Sequence, residues 1–104
     1  MDKFNAHLWL APGMNIHRNI LCGRNFEYFS EDPLISGKMA GAITRWVQSN
    51  KNRGSTIKHF ACNNQEFNRK NNNSILSERA LREIYLKGFK IAIEESSPIA
   101  LMTS

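Results

Sequence analysis

The sequence predicts an α/β protein built on a parallel sheet. Three short apolar segments, residues 6–11, 55–61 and 98–104, alternate with two stretches that carry apolar residues at helical spacing. Long polar loops follow the first two segments. Short apolar strands separated by helices pair in parallel through right-handed crossovers, and ligands then sit at the C-terminal ends of the strands.

Ala6-His7-Leu8-Trp9-Leu10-Ala11 reads as a buried strand, closed by Pro12-Gly13. Residues 14–30 form a long loop of mixed polar, basic and aromatic character, a length that inside a compact domain points to function. Asp32 suits the N-cap of a helix and Pro33 its first position. Ile35, Met39, Ala42, Ile43 and Trp46 then make one apolar stripe, expected to face the core. Gly37 and Gly41 weaken this helix but permit close packing. After a polar turn, Ser55-Thr56-Ile57-Lys58-His59-Phe60-Ala61 is the second strand. Residues 62–74 form an asparagine-rich loop, in which Asn71-Asn72-Asn73 is turn chemistry. Ser77 caps a second helix, with Glu78 in its first turn favoured by the helix dipole. Leu81, Ile84, Tyr85, Phe89, Ala92 and Ile93 are its expected buried face. Arg79, Arg82, Glu83, Lys87, Lys90 and Glu94 mostly make its wet face, with Glu83 and Lys87 as a four-apart pair. Pro98-Ile99-Ala100-Leu101-Met102-Thr103-Ser104 begins a third strand. Two outer strands without neighbours make a poor independent unit, so the 104 residues read as an internal slice of a larger α/β domain.

Composition narrows the function classes. A chain that is 41% hydrophobic can pack a core. No apolar run is long enough to span a membrane, and Met1-Asp2-Lys3-Phe4-Asn5 does not open a signal peptide. The net charge of +5 is spread along the chain, mostly beside acidic neighbours. It reads as a solvated surface, so neither a nucleic acid nor a membrane is an expected partner. Cys22 and Cys62 are too few for a disulfide framework, which makes two free thiols in a cytoplasmic, reducing setting the expectation. A zinc site from Cys22, Cys62, His7, His17 and His59 fits composition but has no recognised metal spacing. No cofactor and no metal are expected.

The informative feature is Lys58-His59. An ammonium and an imidazole side by side at a strand end are costly to bury unless paired. On the same predicted face lie Arg24, in Gly23-Arg24-Asn25-Phe26-Glu27, and Arg69, which closes Asn63-Asn64-Gln65-Glu66-Phe67-Asn68-Arg69. Such dense, directional donors suit a hydroxyl-rich ligand, and equally a phosphate. Each residue has a structural alternative: Arg24 pairing with Glu27, Glu31 or Asp32, Lys58 with Glu66, His59 as a satisfied core histidine, and Arg69 as a solvated loop charge.

Four segments, taken together, resemble a known family. They are Leu10-Ala11-Pro12-Gly13-Met14-Asn15-Ile16-His17-Arg18-Asn19, Gly23-Arg24-Asn25-Phe26-Glu27-Tyr28-Phe29-Ser30-Glu31-Asp32-Pro33, Lys58-His59-Phe60-Ala61-Cys62-Asn63-Asn64-Gln65-Glu66 and Ser77-Glu78-Arg79-Ala80-Leu81-Arg82-Glu83-Ile84-Tyr85-Leu86. They are similar to the glycoside hydrolases of family three, bacterial β-glucosidases above all, over nearly the whole chain. The family usually has Pro where Ile20 stands and fewer asparagines where Asn71-Asn72-Asn73 stand.

The resemblance implies that residues 1–104 are a fragment of a (β/α)8 TIM-type barrel domain, holding three parallel strands and two helices of it. It implies a retaining hydrolysis of β-glucosides in which Arg24, Lys58, His59 and Arg69 hold the sugar hydroxyls of the −1 subsite. The expected partners are a β-glucoside or oligosaccharide substrate and the remainder of the parent enzyme. Retaining hydrolysis needs two carboxylates about 5 Å apart. The family's nucleophile falls on a strand after Ser104 and its acid/base on a further domain, so no catalytic residue is expected here. The alternatives are a sugar-binding remnant without catalysis and, more weakly, a small basic nucleic-acid-binding protein. Because successive strand side chains diverge, joint use of Lys58 and His59 predicts a strained or cis non-proline peptide near the pair.

Overall fold

The computed structural model describes residues 1–104, the side chain of Asp2 excepted. Three strands, β1 (Leu8–Trp9), β2 (Gly54–Phe60) and β3 (Ala100–Thr103), form a parallel sheet in the order β1-β2-β3. Helix α1 (Pro33–Gln48) connects the first pair. A broken helical segment connects the second: α2 (Glu78–Ala80), a π-helical turn (Leu81–Tyr85) and α3 (Lys87–Ser96). Strands paired in chain order with intervening helices are the arrangement that an arc of a (β/α)8 barrel requires.

The caps are where the sequence puts them. The Asp32 carboxylate accepts from Leu34 N and Ser77 Oγ accepts from Ala80 N. The first strand is shorter than the six residues expected. Pro12 has no N–H to give a ladder, and its bond to Ala11 is cis. Pairing continues in irregular form, with Thr56 N donating to Ala11 O, Lys58 N to Pro12 O and Met14 N to Lys58 O.

The core is small: Met14, Ala40, Ile57, Phe89 and Ala92, with Phe29 against its edge. It does not include the stripe expected of α1. Ile35 is 49% exposed, Met39 47% and Trp46 72%. The buried face of α1 is Ser36, Gly37, Ala40, Gly41, Thr44 and Val47. Small residues win because α3 approaches closely. A Cβ on Gly37 would lie 2.8 Å from Gly88 O and 2.8 Å from Ile91 Cβ. A helix–helix contact this close excludes large side chains from its seam, and they fall on the outer face.

The second helical segment shows a related departure. Phe89 and Ala92 are buried as expected, with Gly88 beside them, but Ile84 and Ile93 are exposed. Leu86 N donates to Leu81 O, five residues back, so the π turn adds a residue and rotates the helix beyond it. The same offset separates Glu83 from Lys87. Glu83 pairs with Arg79, Glu78 with Arg82 and Glu94 with Lys90. Of the aromatics assigned to the core, Phe89 is 2% exposed, whereas Trp9, Trp46 and Phe60 are exposed, Phe60 meeting Phe89 edge-on. One helical layer covers one face of the sheet, so apolar groups beyond that layer have nothing here to pack against.

The α1–α3 seam makes a prediction. Gly37→Ala should destabilise the fold by about 1–3 kcal/mol through overpacking. Gly41→Ala meets only side chains at 3.6 Å and gains helix propensity, so it should be neutral or stabilising. Denaturant midpoints of the two variants check this, and equal effects would contradict it.

Candidate functional site

All four donors singled out in the sequence line one cleft of about 630 Å³: Arg24, Lys58, His59 and Arg69. Each strand end reaches it, β1 through Leu10, β2 through Lys58 and His59, and β3 through Met102, Thr103 and Ser104. The loop after β1 contributes Arg24, and the loop after β2 contributes Asn63, Gln65 and Arg69. The Lys58–His59 peptide is cis, as is Phe60–Ala61, and the β2–β3 register shifts between Lys58 and Phe60. Both side chains of the pair line the same cleft. A larger groove of about 890 Å³ lies between Phe60 and the helical residues 82–94. None of the four donors lines it, and its charges are the outward ones of the helix.

Glu27 organises the cationic side of the cleft. Arg24 Nε donates to its Oε1, and Lys58 Nζ lies 3.2 Å from its Oε2. Burial alone would raise the Glu27 carboxyl, but the hydrogen bonds and charges of Arg24 and Lys58 outweigh it and hold the group below its ordinary value. It is therefore an anion at neutral pH, with two cations around it and one net positive charge left on the trio. Gly13 makes room for this contact: a Cβ there would lie 3.0 Å from Glu27 Oε2 and 3.1 Å from the Tyr28 ring. Lys58 thus pairs with Glu27 rather than Glu66. Glu66 accepts instead from Asn63 at 2.9 Å and from Arg69 at 3.3 Å.

His59 is held at its backbone and at one ring nitrogen. Its backbone N donates to Asn15 Oδ1 and its carbonyl accepts from Asn15 Nδ2. Its Nδ1 lies 3.1 Å from the Tyr28 hydroxyl, which also accepts from Asn63 Nδ2 at 3.0 Å. Burial, reinforced by the charges of Arg24 and Lys58, lowers the imidazole to about 4. Burial likewise pushes the Tyr28 phenol up to about 12. Both groups are neutral at pH 7.

Sequence reasoning missed four residues of this site. Glu27 entered only as a partner of Arg24, three residues away. Tyr28, Asn15 and Asn63 carried no signal of their own, because their roles depend on contacts 31 or more residues distant: Asn15 with His59, and Tyr28 with His59 and Asn63. Cys22 and Cys62 are free, and Cys62 lines the cleft with its backbone in the left-handed region. Among the described residues, no cluster of His, Cys, Asp and Glu could hold a metal ion, and no helix is long and apolar enough to cross a membrane.

The imidazole sets a pH dependence. Its folded value of about 4 lies under the ordinary 6.5, so between those values the unfolded state binds more protons. Stability from His59 is complete above pH 6.5, falls as pH drops through the window and is lost near pH 4. Glu27 adds a loss in the same direction, below 4.5. Urea midpoints should decline from pH 6.5 downward, and His59→Gln should remove the decline above 4.5 while keeping the one below. An unchanged slope in that variant would contradict the assignment.

The family model "Glycosyl hydrolase family 3 N terminal domain" matches residues 1–104. The chain is 60% identical over 94 residues to β-glucosidase A of Butyrivibrio fibrisolvens, covering 90% of this chain and 11% of that protein. It is 54% identical over 99 residues to β-glucosidase B of Emericella nidulans, covering 95% and 12%. Among solved structures, β-glucosidase 3B from Thermotoga neapolitana in complex with α-D-glucose superposes with a TM-score of 0.94 at 56% identity, over 98% of this chain and 14% of that one. The chain spans about an eighth of the length of these relatives. With the matched strands, helices and loop motifs, these likenesses establish that the chain belongs to glycosyl hydrolase family 3.

Proposed function

We propose that residues 1–104 form the sugar-gripping arc of a family 3 N-terminal barrel domain, in a protein that hydrolyses terminal β-D-glucosyl residues with retention. The observation that carries this reading is the convergence of Arg24, Lys58, His59 and Arg69 on one cleft at the strand ends. The glucose complex of the Thermotoga neapolitana relative supports a glucoside as the ligand. Two free cysteines suit a cytoplasmic setting.

The chemistry rests on the donor set. Arg24 and Lys58 supply charged N–H groups to ring hydroxyls of the −1 subsite, and Arg69 supplies its fork from the opposite loop. Glu27, pinned between two cations, has lone pairs left to accept from a hydroxyl proton. These groups orient the ring and leave the bond-breaking step to other residues. Glu27 and Glu66 are each held by two donors, an arrangement for accepting hydrogen bonds and not for attacking an anomeric carbon. The nucleophile and the acid/base belong to the remainder of the enzyme.

Hydrolysis of p-nitrophenyl β-D-glucoside tests the proposal. The full-length protein should cleave it and the isolated 104-residue chain should not. Lys58→Met in the full-length protein should lower kcat/KM by about ten- to hundredfold, the effect of losing a charged hydrogen bond. Hydrolysis by the isolated chain, or an unchanged kcat/KM in Lys58→Met, would overturn the assignment.

A further inference from the structure

The hydrogen bonds that lead to His59 form one connected row. Glu66 is a carboxylate and accepts, so the Asn63 atom 2.9 Å from it is the amide nitrogen. The same Nδ2 donates its second hydrogen to the Tyr28 oxygen at 3.0 Å. That oxygen accepts from Asn63, and the partner within reach of its own proton among the described residues is the imidazole Nδ1, 3.1 Å away. A neutral imidazole that accepts at Nδ1 carries its proton on Nε2. The phenol, pushed up to about 12, keeps its proton to donate.

The far end of the chain is anchored as well. Arg69 Nη1 donates to Glu66 Oε2 at 3.3 Å, which orients the carboxylate that orients Asn63. The buried side-chain atoms left without partners, among the described residues, are Asn25 Oδ1 and Thr56 Oγ1. His59 Nε2 is not one of them, and His59 lines the cleft, so Nε2 is open to a ligand.

We propose that Tyr28 and Asn63 are positioning residues that hold His59 as the neutral imidazole protonated on Nε2, so that a sugar hydroxyl meets a fixed hydrogen-bond donor there. This rests on the reading of the cleft as a sugar site and deepens it: the hydroxyl at His59 must serve as an acceptor. Arg69 reaches His59 through Glu66, Asn63 and Tyr28, which joins the two long loops into one recognition unit.

The test is the ¹⁵N spectrum of the histidine-labelled full-length protein near pH 7, read beside β-glucoside kinetics. The wild type should show His59 protonated at Nε2 and bare at Nδ1. Tyr28→Phe keeps the ring and removes the phenolic proton. It should move the His59 nitrogens toward a tautomer mixture and raise KM about tenfold, with a smaller change in kcat. Asn63→Asp, which replaces the donor with an acceptor, should do the same. A wild-type His59 protonated at Nδ1, or a Tyr28→Phe spectrum identical to wild type, would overturn the proposal. An Nε2–H tautomer in a protein that neither binds glucose nor cleaves the glucoside upholds the relay and overturns the sugar reading alone.

Discussion

The Glu27 carboxylate is the contact on which the site depends. It lies between Arg24, on its own loop, and Lys58, at the end of β2. Without it, two cations would face each other in a partly buried cleft, a repulsion that desolvation makes worse. With it, the long loop after β1 is clamped to the strand beside it. Gly13 is the steric condition for this clamp, since a side chain there would press on both Glu27 and Tyr28.

A second clamp works through neutral groups. Asn15 bonds both the N–H and the carbonyl of His59, and Tyr28, itself bonded by Asn63, meets the ring at Nδ1. The cleft therefore has a charged half, around Glu27, and a neutral half, around His59. A sugar ring carries hydroxyls that each donate and accept, so a site with donors of fixed direction and an acceptor of fixed position reads orientation as well as composition. Every carboxylate of the cleft is already committed to cations or amides, which suits the proposed gripping role and not a nucleophilic one.

The scaffold beneath is economical. One helical seam, lined by glycine, alanine, serine and threonine on α1, brings α3 close enough to cover Ile57 and Met14. The larger apolar side chains of α1 point away from this seam. Periodicity picked out an apolar stripe and assigned it to the core, whereas the neighbouring helix packs on the other face. That choice is made by how closely backbones can approach, and small residues allow the closest approach. Likewise, the order of strands and the caps were legible, because Pro12, Asp32-Pro33 and Ser77 act through local geometry. The π turn was not, since no residue in Leu81–Tyr85 breaks the helical pattern there.

Short segments read in order were enough for the α/β order, the helix starts, the four donors and the family, because each of these is a local property of the chain. Three things waited for the folded molecule: which of Glu27 and Glu66 neutralises Lys58, which face of α1 is buried, and that Asn63, Tyr28 and His59 lie in one hydrogen-bonded row. Those facts rest on contacts between side chains far apart in the chain, whose energies depend on distance, burial and donor direction. None of these quantities exists until the strand ends are brought together.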